Sequence, residues 1–399
     1  MTQQERFDWV DRAKAYGIFL VVLGHVLEGI YLHTKSPHVF PLYKAIYSFH
    51  MPLFFVLSGF VYRHKQETFA LFFSQRIFSR FIPILFFCFL ALPFVFAYDK
   101  VIQGTMPIKT YVTSLILMFS GRPMLNMVMW YVVCLFTIEV FRFVLFHQLK
   151  VPQRWSVLLC LTVFCYGAGF AINWAIMARP AAVEQLLGLK KNFWYVHEAV
   201  LAFSFYLVGM LIRKSEHIWY QHKLYKGLGL LVGAIALYQT YDLNQGPFNE
   251  LNLPAVSMGN GSHGHPLWFL VAALAGILVV MSFSRININS RLISYTGRNT
   301  LIILGLNGCT FQWISWLAQQ GYVALPLNNV WTASLYSFGV AVAVMLAYLP
   351  GVWLLNRSVP WAIGGWRPKK PTPLPWGLRS LGNWSTREQE KAYVLQPLD

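Results

Sequence analysis

Apolar residues recur along the 399-residue chain in long runs separated by short polar stretches. Most runs are roughly 17 to 25 residues, the length that crosses a hydrocarbon core of about 30 Å. The pattern predicts ten spans, at 15–32, 43–63, 77–98, 126–147, 155–178, 193–213, 225–240, 266–284, 292–318 and 329–355. The stretch 110–119 (TYVTSLILMF) is too short to cross and reads as re-entrant or interfacial. The expected fold is all-α: a polytopic membrane protein of about ten transmembrane helices in one bundle.

Charge placement tests this count independently. With the N-terminus in the cytoplasm, 23 lysines and arginines fall inside, eight fall outside, and Arg142 sits at a helix end. The last two outside loops carry none, and this alternation is what the positive-inside rule predicts for ten spans with both termini cytoplasmic. A multi-pass protein of the cell (inner) membrane is expected, with residues 1–355 embedded and 356–399 a cytoplasmic, basic, Pro- and Trp-rich tail. No A-x-A cleavage site follows the first run, so span one reads as an uncleaved anchor.

Composition agrees. Hydrophobic residues make up 56% of the chain, charged residues 12%, and mean hydropathy is +0.48. Topology accounts for the net charge of +17, so no nucleic-acid partner is implied, although the excess also suits lipid headgroups or a phosphorylated cytoplasmic substrate. All five cysteines (Cys88, Cys134, Cys160, Cys165, Cys309) lie inside spans without metal-ligand spacing and read as packing residues. No metal centre is expected; His263-Gly264-His265, in the long loop 241–265, lacks acidic or thiolate neighbours in sequence.

Ionisable residues within spans are costly and mark bundle interiors, cavities or partners. They are His25 and Glu28 in span one, His50 in span two, Glu139 in span four, and His197 with Glu198 in span six. Lys14 and His25 are eleven positions apart, so they differ by about 20° around a helix and lie about 16 Å apart along it. Asp11 and Glu28 fall within roughly 60° of that stripe, and Arg12 points elsewhere. Span one thus carries a polar seam from the cytoplasmic surface to mid-membrane; the competing reading is a histidine buried with Glu28 for packing. In FHMPLFFVLSGF (Phe49 to Phe60), Pro52 is expected to bend a helix and Ser58-Gly59 to permit close helix approach. Arg76 and Arg80, four apart at the start of span three, suit a polyanion or equally a headgroup. Glu139 is expected to hydrogen-bond between helices. His197-Glu198 reads as an acceptor-side or proton-handling pair, or as two buried polar residues.

Taken in order, these stretches resemble the acyltransferase-3 family of integral membrane acyltransferases, in its fucose and polysaccharide O-acetyltransferase-like branch. A basic residue, ten residues and a histidine is that family's first-span signature, here Lys14 to His25. FHMPLFFVLSGF matches the second-span motif, and Arg76, Arg80 and Pro83 match the start of the third span. Met129-Trp130-Tyr131, FYLVGMLIRK (205–214) and YTGRNT (295–300) followed by LIILGLN resemble later blocks. The late block in the sugar-modifying branch usually ends in histidine where this chain has Asn307, which cannot shuttle a proton. An appended extracytoplasmic esterase-like domain, which some members of that family carry, is not expected here.

The resemblance implies acyl transfer from acetyl-CoA to a sugar hydroxyl on an exported glycan, cell-surface polysaccharide or glycolipid of the cell envelope. His25 would be the general base, with Glu28 (or Glu198) fixing its tautomer; Lys14, Arg12, Arg76 and Arg80 would bind the donor phosphates. His50, Trp130, His197 and Glu198 would face the acceptor. A proton-coupled transporter using intramembrane His and Glu is the alternative, although the chain lacks the internal repeat common in transporters.

Overall fold

The computed structural model describes residues 7–63, 68–104, 107–178, 192–216, 223–248, 254–286, 290–325 and 327–365. The tail beyond 365, Lys65 and the centre of the 241–265 loop lie outside the described residues. Helices form the architecture; β pairing among the described residues is one isolated bridge between Ser257 and Ser262.

Helix α1 (Asp8–Thr34) starts with Asp8 and Asp11 in its first turn, where carboxylates oppose the helix dipole, and stops at Lys35 in a left-handed conformation. The second predicted span is not one helix. Helix α2 (Phe40–Tyr47) ends at Ser48, and α3 restarts at His50 and runs to Phe60. Pro52 therefore lies in a first turn, where backbone N–H groups have no intrahelical acceptor and the missing donor is harmless. The expected proline bend is replaced by a break at Ser48 and Phe49, just upstream.

The third apolar run extends to α4 (Phe69–Ile102), whose N-terminus is capped by Thr68 accepting from the Leu71 amide. A π turn at Ile77–Phe81 interrupts it; i→i+5 bonding widens the turn and brings positions four apart closer to alignment. The short stretch forms α5 (Ile108–Met118), an 11-residue helix. Helices α6 (Met127–Gln148), α7 (Trp155–Ala178) and α8 (Val196–Lys214) match predicted spans four to six. Helix α9 (Lys223–Thr240) carries the seventh, and α10 (Pro266–Arg285) the eighth. The ninth divides at Asn299 into α11 (Arg291–Arg298) and α12 (Thr300–Ala324); α13 (Val330–Ser358) is the tenth.

Eight of these helices are long and apolar enough to cross a membrane, and the divided second and short seventh spans are the other two runs of the sequence count. The chain is an all-α polytopic membrane protein. Helix α1 runs through the middle, touching α2, α3 and α10 to α13. Helices α7 and α13 lie on the periphery and expose large apolar residues such as Phe164, Trp174 and Leu335, as lipid-facing surfaces do. Helix α3 locks onto α8 through Gly59 and Gly209: a Cβ at Gly59 would overlap the Tyr206 carbonyl, and one at Gly209 the Val56 carbonyl. Only glycine permits that backbone approach, the device by which lipid-embedded helices gain dispersion contact.

Candidate active site

One stripe of α1 organises the site. Lys14, Ile18 and Val21 line a cavity of about 140 Å³ together with Arg80, Ser58, Tyr131 and apolar residues of α3, α6 and α12. His25 is the next position on the same stripe, one turn beyond Val21. The predicted seam is thus a hollow between helices, with cationic groups at one end and an imidazole beyond the other.

His25 is half-buried and meets the position expected to depart from the family pattern. Asn307 Nδ2 lies 2.5 Å from His25 Nδ1, and the Phe311 ring centroid is 5.8 Å from the imidazole. Asn307 is only 1% exposed, so water cannot replace that contact. Behind it, Tyr348 Oη of α13 stands 3.4 Å from Asn307 Oδ1, to which it donates as the amide is placed, and 2.7 Å from Thr310 Oγ1, and Thr310 donates to the Leu306 carbonyl at 3.0 Å.

At the other end, Glu139 of α6 lies between the two α4 arginines. Arg80 donates to Oε1 at 3.0 Å, and Arg76 Nε is 3.4 Å from Oε2. Arg80 lies within the π turn and Arg76 just before it, and both guanidinium groups reach this one buried carboxylate. Glu139, expected only as an interhelical hydrogen-bonding residue, thus holds the cationic pair in place. Arg142, unassigned on charge counting, sits over the Tyr62 and Phe72 rings, with Cζ 4.6 and 5.5 Å from their centroids. Arg12 is not brought to the cavity; its guanidinium donates to the Ser284 carbonyl at 2.7 Å, on the α10 side of α1.

Beyond His25 the seam continues differently from expectation. Glu28 accepts from Tyr47 Oη at 2.6 Å and does not hold the imidazole. Tyr47 packs on His50, ring centroids 4.7 Å apart. His50 Nδ1 donates to the Ile46 carbonyl at 2.9 Å; a carbonyl only accepts, so neutral His50 keeps its basic nitrogen at Nε2. Both residues sit where the chain breaks between α2 and α3.

Glu198 is also committed elsewhere. Both its oxygens lie 3.0 Å from His263 Nε2, and both residues are fully enclosed. The 254–265 segment is held further by Asn244, which donates to the His263 carbonyl and accepts from the His265 amide. Within that segment Gly259 lies against the Trp130 indole, and the indole and Tyr195 ring centroids are 5.8 Å apart. His197 stacks on Tyr195 at 6.2 Å. Trp130 and Glu198 therefore both meet the 254–265 segment, with His197 beside Tyr195, apart from the contacts of His25. Among the described residues no group of three or more His, Cys, Asp or Glu is placed to hold a metal ion.

Sequence reasoning missed the roles of Tyr47, Tyr348, Thr310 and His263. Hydroxyls within apolar helices carry no periodic signal, and only packing pairs them with distant partners.

No solved structure matches the chain. It is 41% identical to the nodulation protein NolL of Sinorhizobium fredii over 85 residues, which are 21% of this chain and 22% of that protein. It is 37% identical to the nodulation protein NolL of Mesorhizobium japonicum over 81 residues, 20% of this chain and 22% of that protein. The chain spans about a fifth of the length of these curated relatives. The acyltransferase-3 family, defined by an acyltransferase domain, matches residues 7–350 and so covers nearly the whole described bundle. With the Lys14–His25 stripe and the paired arginines in place, the chain belongs to the acyltransferase-3 family of membrane acyltransferases.

Proposed function

We propose that the protein is a multi-pass inner-membrane O-acyltransferase that moves an acetyl group from cytoplasmic acetyl-CoA to a sugar hydroxyl of an exported glycan or glycolipid. The observation that carries this reading is the cavity lined by Lys14 and Arg80 along the α1 stripe that next presents His25. Lys14 and Arg80, with Arg76 beside them on Glu139, suit the phosphates of the donor, and the apolar walls suit its long, weakly polar arm. The thioester would then reach His25.

Each remaining step is a proton or acyl movement. Imidazole takes the acceptor's proton as the hydroxyl oxygen attacks the thioester carbonyl carbon. The C–S bond breaks on collapse of the tetrahedral intermediate, and the departing thiolate takes the proton back from imidazolium. The product is an acetyl ester and free thiol. His50, with its basic nitrogen at Nε2, Trp130 and His197 supply acceptor contacts in this reading. The His25–Asn307 contact replaces the carboxylate partner expected from sequence.

The test is mass spectrometry of surface glycans from deletion cells complemented with wild type or His25→Ala. Wild type restores a mass one acetyl unit higher, and His25→Ala, expressed and monodisperse in detergent, does not. Lys14→Ala is expected to raise the donor KM with a smaller change in kcat. Normal acetylation by His25→Ala overturns the mechanism. Solute transport by the purified protein in liposomes, without acyl transfer, would favour the transporter.

A further inference from the structure

Three groups stand in line behind the imidazole: the Asn307 amide, the Tyr348 hydroxyl and the Thr310 hydroxyl. The line ends on the Leu306 carbonyl, which can only accept. Thr310 reaches that carbonyl with its one proton, so its oxygen is left to accept. Tyr348, 2.7 Å away, then gives its own single proton to Thr310 Oγ1. A phenol whose proton is spent can only accept from the amide, so the amide presents its NH₂ to Tyr348. Its oxygen must then face His25, and an oxygen takes a hydrogen bond from Nδ1–H.

The opposite arrangement, which is the orientation in which the amide is placed, with Nδ2 on His25 and Oδ1 on Tyr348, reverses every bond. Thr310 would donate to Tyr348, Tyr348 to the amide oxygen, and the amide NH₂ to Nδ1. Thr310 Oγ1 and the Leu306 carbonyl would then face each other at 3.0 Å with no proton between them. The first arrangement makes one hydrogen bond more and avoids that oxygen–oxygen contact. The amide chooses between them by half a turn of its terminal torsion, because its oxygen and nitrogen are nearly the same size.

We infer that Tyr348 and Thr310 are positioning residues that set the His25 tautomer through Asn307, leaving Nε2 as the basic nitrogen. This rests on His25 being the general base of the reading above. It explains how an asparagine can serve beside the imidazole: it shuttles no proton and only has to be held oxygen-first. The α13 helix thereby acts on the reaction without touching substrate.

Two measurements separate this inference from that reading. The first is ¹⁵N NMR of histidine-labelled protein in micelles, with the His25 signal assigned by its loss in His25→Gln. Wild type is expected to show Nδ1 protonated and Nε2 bare, and Tyr348→Phe or Thr310→Val to move population towards Nε2–H. Thr310→Ser is expected to restore the wild-type pattern. The second is a kinetic cycle. Tyr348→Phe is expected to lower kcat roughly five- to tenfold, the effect of one lost orienting hydrogen bond, with donor KM little changed. In an Asn307→Asp background, whose carboxylate accepts from Nδ1–H whichever way it turns, adding Tyr348→Phe is expected to produce no further loss. A wild-type imidazole carrying its proton on Nε2, or an equal loss from Tyr348→Phe in both backgrounds, overturns the inference. Absence of acyl transfer by wild type overturns the functional reading, while the NMR result still decides the tautomer.

Discussion

Replacing Glu139 with glutamine removes the one negative charge shared by Arg76 and Arg80 while keeping shape and volume. The carboxylate is 7% exposed, and its partners lie at 3.4 and 3.0 Å. At an effective dielectric near 20, a contact at such a distance is worth about 5 kcal/mol before desolvation. Removing one partner of a buried pair costs about 3–5 kcal/mol, because the remaining charge keeps its desolvation penalty. The arginine side chains keep 13% and 22% exposure, so water relieves part of this and about 2–4 kcal/mol is expected. Arg80→Gln alone leaves Glu139 paired with Arg76 and should cost less, about 1–2 kcal/mol. The assay is equilibrium unfolding in mixed micelles for both single variants and the double. The double is expected to fall short of the sum by about 1–2 kcal/mol, since the second change removes a partner already lost. A Glu139→Gln cost under about 0.5 kcal/mol, or strict additivity, would refute the claim that this carboxylate anchors the cationic pair.

Other consequences follow from the packing. Gly209→Val places a side chain into the Val56 carbonyl; α3 and α8 must part, and folded yield after detergent extraction is expected to collapse, whereas Gly167→Val, which meets nothing, should be tolerated. Tyr47→Phe strips the Glu28 carboxylate of its hydroxyl donor and should destabilise by about 1–3 kcal/mol in the same unfolding assay. Tyr47→Phe with Glu28→Leu should cost less than Tyr47→Phe alone, because no polar group is then left unmatched; equal or larger loss would argue against that bond.

Much of this protein was written in its sequence. Run lengths and the alternation of lysine and arginine between loops predicted a polytopic helical bundle, because lipid forces every backbone group into helical pairing. The eleven-residue step from Lys14 to His25 placed both on one stripe, since helical periodicity is local, and the structure puts a cavity along that stripe. What periodicity could not supply was the identity of partners across helices. Glu28 and Glu198 were natural candidates to hold the imidazole, yet one pairs with Tyr47 and the other with His263. Asn307, which read as a defect in a motif, is the group that meets His25. The break before His50 was likewise invisible in a stretch whose hydropathy reads as one span. Hydropathy fixes which segments enter the membrane; only the packing of α1 against α12 and α13, 282 residues apart at the His25–Asn307 contact, decides which polar atoms face each other. Interhelical hydrogen bonds are matched by side-chain reach in three dimensions, and no one-dimensional pattern encodes that match.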